Sequence, residues 1–137
     1  MAAYPEMLHT VIDTTNPRGL AEYYRQLLGY SYRDGDAPPT RGATDDADWL
    51  VLVDSNGTRK LAFQLVEELA PTTWPRPEVP MQMHVDFTVT DTDELERHRT
   101  RAEELGATLL FDHSDDADEP LYVFTDPAGH PFCLFVG

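Results

Sequence analysis

Two stretches of this chain carry the same order of signals. Leu8-His9-Thr10-Val11-Ile12-Asp13 reads as a strand, Asn16-Pro17 opens a helix, and Leu28-Gly29-Tyr30 leaves it. Met83-His84-Val85-Asp86-Phe87-Thr88-Val89-Thr90 reads as a strand, Asp91 opens a helix, and Leu105-Gly106-Ala107 leaves it. In both, a histidine stands seven residues before the capping residue, Asn16 or Asp91. The match runs on: Asp54-x-x-Gly57 parallels Asp126-x-x-Gly129, and Phe63-Gln64-Leu65 parallels Phe132-Cys133-Leu134. Each half is therefore expected to be strand-helix-strand-strand-strand. A unit of that size cannot bury its sheet alone, so the halves should pack together.

Local signals place the elements. The first strand is expected over Met7 to Asp13. Asn16 is a good N-cap, and Pro17 sits where a helix has no use for the missing N–H. Leu20, Tyr24, Leu27 and Leu28 then recur at helical spacing, and Gly29 ends the helix. Tyr30 to Arg33 is a short strand, and Asp34 to Ala47 a polar loop long enough to be mobile or part of a site. Trp49 to Val53 is a buried strand, Asn56-Gly57 a hairpin signal, and Leu61 to Glu67 the returning strand. Leu69 to Pro80 holds four prolines and reads as an extended connector.

In the second half His84 to Thr90 is a strand, and Asp91 with Glu94 reads as a capping box. Leu95, His98, Ala102 and Leu105 make the helix stripe. Ala107 to Phe111, Leu121 to Thr125 and Phe132 to Val136 are the remaining strands, with Asp126-Pro127-Ala128-Gly129 a tight turn. Residues 1–137 are thus expected to form a single domain, made of a first module (7–67), a proline-rich connector (68–81) and a second module (82–137).

Composition removes several functions. Hydrophobic residues make up 41% of the 137, enough for a core. The formal net charge is −15, from 25 acidic against 10 basic residues. No nucleic-acid partner is expected, because binding phosphates needs a basic footprint. No membrane is expected either: the apolar runs Trp49 to Val53 and Phe132 to Val136 are strand-sized. A single cysteine, Cys133, excludes an intramolecular disulfide and fits a reducing compartment. With no basic region leading an apolar stretch at the N-terminus, a cytoplasmic location is expected.

Alternation across a strand sorts the candidate site residues. His84, Asp86 and Thr88 share one face, and Met83, Val85, Phe87 and Val89 the other, which must take the helix. His9, Val11 and Asp13 share a face, Gln64 lies between Phe63 and Leu65, and Cys133 between Phe132 and Leu134. A pseudo-symmetric pairing would turn His9, Gln64, His84 and Cys133 toward one cavity. The expected fold is α+β, two βαβββ modules forming curved mixed sheets around that cavity. Trp74, in the connector, is a candidate for lining a ligand pocket, whereas Trp49 reads as core. His98 and His113 read as structural or surface residues, and His130 as a turn residue.

Paired strand-helix-strand-strand-strand units, a histidine heading each, a Tyr-x(3)-Leu-Gly helix exit and an Asp-Pro-x-Gly turn together resemble the vicinal oxygen chelate superfamily. That group includes glyoxalase I, extradiol dioxygenases, fosfomycin-resistance thiol transferases and bleomycin-binding proteins. Asp126-Pro127-Ala128-Gly129-His130-Pro131-Phe132-Cys133-Leu134, with Trp74-Pro75 before His84-x-Asp86, is similar to its glyoxalase-like subgroup. The resemblance implies a homodimer and, in metal-dependent members, four ligands on inward strand positions: His9, Gln64, His84 and Cys133 here. Two of these depart from the usual histidines and glutamates. Gln64 offers only a neutral carbonyl oxygen, and Cys133 a soft donor that suits zinc.

Three functions are expected in turn. The first is a metal-independent protein that binds or transforms a small-molecule ligand, with His84 as acid/base tuned by Asp86. Its pocket would be lined by His9, Gln64, His84, Asp86 and Cys133. The second is a metal-dependent lyase, isomerase or dioxygenase holding a divalent metal such as zinc. The third is sequestration of a cationic drug, as in bleomycin resistance.

Overall fold

The computed structural model describes residues 3–137, and the chain divides into two compact units, one ending at Leu69 and the other spanning Ala70–Gly137. The first contains β1 (Thr10–Thr14), α1 (Pro17–Leu28), β2 (Ser31–Tyr32), β3 (Trp49–Val53) and β4 (Arg59–Leu65). The second contains β5 (Val85–Val89), α2 (Thr92–Leu105), β6 (Thr108–His113), β7 (Leu121–Thr125) and β8 (Pro131–Val136). Each unit is a βαβββ module with one four-stranded mixed sheet, ordered β1-β4-β3-β2 or β5-β8-β7-β6. The outer pair is parallel in both (β1 with β4, β5 with β8), and the rest is antiparallel. Both sheets are open, and the fold class is α+β.

The caps act as the sequence requires. The Asn16 side chain accepts from the Gly19 N–H at 3.1 Å, and Asp91 from the Glu94 N–H at 2.8 Å. The reciprocal half of the expected capping box is missing, because the Glu94 carboxylate is taken by Arg97 and His98. On α1, Leu20, Ala21, Tyr23, Tyr24 and Leu27 are buried, and the Tyr24 ring stacks on Phe63 at 5.9 Å. In the second unit Leu95 and Ala102 of α2 are buried, and Phe124 stacks on Phe132 at 5.2 Å. Burying one such aromatic side chain contributes about 1.5–3 kcal/mol.

Several boundaries differ from the sequence reading. β1 begins at Thr10, not Met7; Met7 and Leu8 are apolar but exposed, so they give a strand pattern without a sheet to bury it. β4 runs Arg59–Leu65, not Leu61 to Glu67, and β6 extends to His113. His84 lies just before β5 rather than within it.

The repeated turns are one turn made twice. In each, the aspartate carbonyl accepts from the glycine N–H (Gly57 to Asp54, 3.0 Å; Gly129 to Asp126, 2.8 Å). Its side chain then caps two more backbone N–H groups: Asn56 and Thr58 for Asp54, Ala128 and His130 for Asp126. The strands leaving the two turns differ. Leu52 pairs with Leu61 but Val53 with Arg59, so Lys60 is an extra residue bulged out of β4. The β7–β8 hairpin has no such shift.

The long loop over residues 34–47 is tied down by Arg18 of α1. Its Nε donates to Asp45 at 2.7 Å, its Nη1 to the Asp36 carbonyl at 2.7 Å, and its guanidinium lies 5.0 Å from the Tyr32 ring centre. Asp36 in turn accepts from the Val51 N–H. The Tyr32 hydroxyl donates to Glu22, and its pKa is pushed up to about 12 by burial and by that carboxylate.

His98 gives a pH prediction. Its Nδ1 accepts from Arg101 at 2.8 Å, and in that tautomer Nε2–H donates to Glu94 at 3.3 Å. Burial first, then Arg97 and Arg101, lower its pKa. A lowered folded-state pKa means that the unfolded chain binds the proton more readily. Stability from this residue is therefore complete above the ordinary imidazole range and is lost as pH falls through it. Urea midpoints should drop on acidification across that range, and His98→Gln should flatten the slope; an unchanged slope refutes the assignment.

Candidate functional site

In the second unit the parallel β5–β8 register sets Asp86 directly beside Cys133. Phe132 and Leu134 are buried on the helix side of β8, which turns Cys133 to the opposite face. Along β5, Asp86 and Thr88 are exposed while Val85, Phe87 and Val89 are half-buried, the predicted alternation. His84, entering the strand, brings its Nε2 to 3.2 Å from the Asp86 Oδ1. The donor atoms of His84, Asp86 and Cys133 all lie within 4.8 Å of one another. Burial, the adjacent Asp86 charge and a hydrogen bond to it push the Cys133 thiol up to about 11.

The first unit does not repeat this cluster. β1 ends three residues before α1 begins, and β5 stands in the same relation to α2, so Val11 is the counterpart of Asp86. Val11 pairs with Ala62, where Asp86 pairs with Cys133. Ala62 is thus the positional counterpart of Cys133, and Gln64 is not. The apparent match of Phe63-Gln64-Leu65 to Phe132-Cys133-Leu134 is two residues out of register, drawn by the shared phenylalanine. Gln64 is exposed, with Asp13 of β1 and Trp49 of β3 as its strand partners.

His9 precedes β1, its ring 5.9 Å from that of Trp49. Its Nδ1 is buried and has no hydrogen-bond partner among the described residues. Burial, then the charges of Arg59 and Arg33, lower its pKa. Trp49 is half-buried rather than core, and is the first-unit aromatic that the sequence reading passed over. Trp74, in the second unit, is also half-buried and packs edge-on against Phe111 at 5.4 Å. His113 is exposed, and the His130 N–H belongs to the Asp126 turn.

The chemistry of the second-unit cluster is mixed: one imidazole nitrogen, one carboxylate oxygen and one sulfur. A hard ion such as Mn²⁺ prefers carboxylates, carbonyls and water around an octahedron. A thiol in the set does not fit that ion. As a proton-handling centre the pair is better arranged. Asp86 accepting from the His84 Nε2–H fixes the ring and leaves Nδ1 as a basic nitrogen.

Solved structures share the fold at low identity. A glyoxalase/bleomycin resistance protein/dioxygenase family enzyme from Burkholderia phytofirmans PsJN superposes with a TM-score of 0.69 at 16% identity, covering 94% of this chain and 96% of that one. A glyoxalase/dioxygenase from Nostoc punctiforme gives 0.68 at 18% identity, with 96% and 90% covered. The fosfomycin resistance protein FosX from Listeria monocytogenes, solved with Mn(II) and sulfate, gives 0.66 at 13% identity, with 100% and 94% covered. A search among curated proteins finds no match. The family model described as "Glyoxalase-like domain" matches residues 9–135, nearly the whole repeat. This chain belongs to the glyoxalase-like domain family, within the vicinal oxygen chelate superfamily.

Proposed function

We propose that this protein binds a small molecule on the polar face of β5 and β8 and, where it catalyses, works through its own side chains. The observation that carries the reading is the 3.2 Å contact between His84 and Asp86 on the exposed face of β5. His84 is the acid/base, Asp86 holds its ring, and Cys133 and Trp74 contribute to ligand binding. Residues 1–137 act as a single domain, as a homodimer in the cytoplasm.

The fold hosts several chemistries, so the site and not the fold has to decide. A metal-dependent lyase or dioxygenase is the second reading, favoured by the Mn(II) in the Listeria FosX structure and opposed by the thiol of Cys133. Drug sequestration is the third, favoured by the net charge of −15 for a cationic ligand.

A thermal-shift and turnover panel separates them, using fosfomycin, α-keto hemithioacetals, catechols and cationic glycopeptides. A ligand at about 100 times its Kd should stabilise by about 2.7 kcal/mol. The expected result is a raised midpoint and turnover with one of the first three compounds, retained after chelation. Turnover that appears only with added Mn²⁺ supports the second reading. A shift with glycopeptides alone supports the third.

A further inference from the structure

We propose that the face of the first sheet away from α1 holds a site for a planar monoanion, an aromatic or unsaturated carboxylate, seated on Trp49 and anchored by Arg59 and the His9 Nε2–H. The site lies in the first unit and goes beyond the β5–β8 reading, on which it does not rest. It also departs from the role that the family resemblance implies for His9.

Register assembles the face. Trp49, Val51 and Val53 of β3 stand beside Gln64, Ala62 and Arg59 of β4, and Val11 and Asp13 of β1 beside Ala62 and Gln64. Phe63, stacked on Tyr24 of α1, belongs to the other side. His9 enters β1 at the Arg59 end of this face, and Trp49 stands at the Asp13 end. Their rings nonetheless meet at 5.9 Å, so both side chains lie across the face, and the small Val51 and Ala62 at its centre are fully buried. Trp49 itself stays half-buried, as a stacking surface must be.

The buried Nδ1 of His9 decides where the ring proton sits. It has no partner among the described residues, and a buried N–H without an acceptor is a rarer defect than a lone pair without a donor. The neutral ring therefore carries its hydrogen on Nε2, its open nitrogen, which becomes a donor. A histidine that ligates a metal through one nitrogen donates the other N–H to a carboxylate, a carbonyl or water. His9 has no such acceptor at Nδ1, so its surroundings fit a donor and not a metal ligand.

The charge at this end is uncommitted. Arg33 is held by Asp36 at 3.0 Å and Lys60 by Asp54 at 3.8 Å. The half-buried Arg59 side chain has no hydrogen-bond or ion-pair partner among the described residues, in a chain with 25 acidic residues against 10 basic ones. It is near enough to His9 for its charge to act on the ring. A guanidinium and an Nε2–H only donate, so what complements both is a negatively charged acceptor. A carboxylate matches the guanidinium fork and keeps lone pairs for the imidazole. Asp13 repels an anion at the Trp49 end, which leaves that end to the apolar ring of the ligand.

Benzoate, benzamide and benzamidine share one shape and are anionic, neutral and cationic. The nitrogen-15-labelled full chain is titrated with each, following the indole N–H signals of Trp49 and Trp74, assigned with Trp49→Phe. Benzoate should move the Trp49 signal saturably and leave the Trp74 signal still. Benzamide and benzamidine should bind more weakly by about tenfold or more, the worth of a charge-assisted hydrogen bond. Arg59→Gln should reduce benzoate to the level of benzamide, whereas Arg41→Gln, at an exposed loop arginine, should change nothing. Imidazole correlation spectra of the ligand-free protein should show His9 protonated at Nε2. No saturable shift with benzoate overturns the site, as does equal affinity for benzamide or an affinity unchanged in Arg59→Gln. A His9 ring protonated at Nδ1, or a Trp49 signal that moves with Zn²⁺ alone, overturns it in favour of metal ligation. None of these readouts involves His84, so this titration and the turnover panel can fail separately.

Discussion

His84→Gln should lower turnover of whichever compound the panel identifies by about 10²–10⁴-fold, the usual contribution of a positioned acid or base. Glutamine keeps polarity and a hydrogen-bond donor for Asp86, but it cannot carry a proton. The midpoint shift on ligand binding should therefore survive in the variant. Asp86→Asn is expected to fall between the two proteins, since it leaves the ring in place and removes only the charge that orients it. Steady-state rates across pH, with thermal shifts run in parallel, check this. Full activity in His84→Gln would remove His84 from the chemistry and leave the face a binding surface.

Phe132→Ala should destabilise the protein by about 3–5 kcal/mol, the range for emptying an aromatic site in a core that cannot collapse. Phe132 is wholly buried on β8, stacked on Phe124 at 5.2 Å and edge-on to Phe87 at 5.9 Å. Against a total stability of about 5–15 kcal/mol, that is enough to bring unfolding close to working temperature. The effect should also reach the site, because the next residue along β8 is Cys133. Urea denaturation should show a lower midpoint with an unchanged slope. A loss below about 1 kcal/mol would mean that the ring is not holding β5 and β7 together as its contacts imply.

How much of this was readable from the residues depended on the range of the physics involved. Asn16 and Asp91 announce their helices because a cap is satisfied within three residues. The two Asp-x-x-Gly turns are equally local and proved to be bonded alike. The faces of β5 were legible because a half-buried strand must alternate. Register was not. Nothing local in Arg59-Lys60-Leu61 says that Lys60 drops out of the ladder, and the Phe63/Phe132 match pointed to the wrong alignment. The first strand was placed too early because Met7 and Leu8 look like core and are not. At the site, His84 and Asp86 could be paired by counting. The juxtaposition of Asp86 with Cys133 depends on a parallel pairing that spans most of the second unit. The ties from Arg18 to Asp36 and Asp45 are likewise long-range, so a loop that could have been mobile is instead fastened.

The bulge at Lys60 bears on how two halves of a duplicated chain drift apart. An added residue at the mouth of a hairpin is absorbed where the ladder begins, so Leu61, Ala62 and Phe63 keep their partners and the core pays no penalty in packing. Length can therefore differ between the two modules while the ladder beyond the bulge keeps its pairing. One module carries a methyl group, Ala62, where the other carries a thiol, so this chain repeats its architecture and not its chemistry.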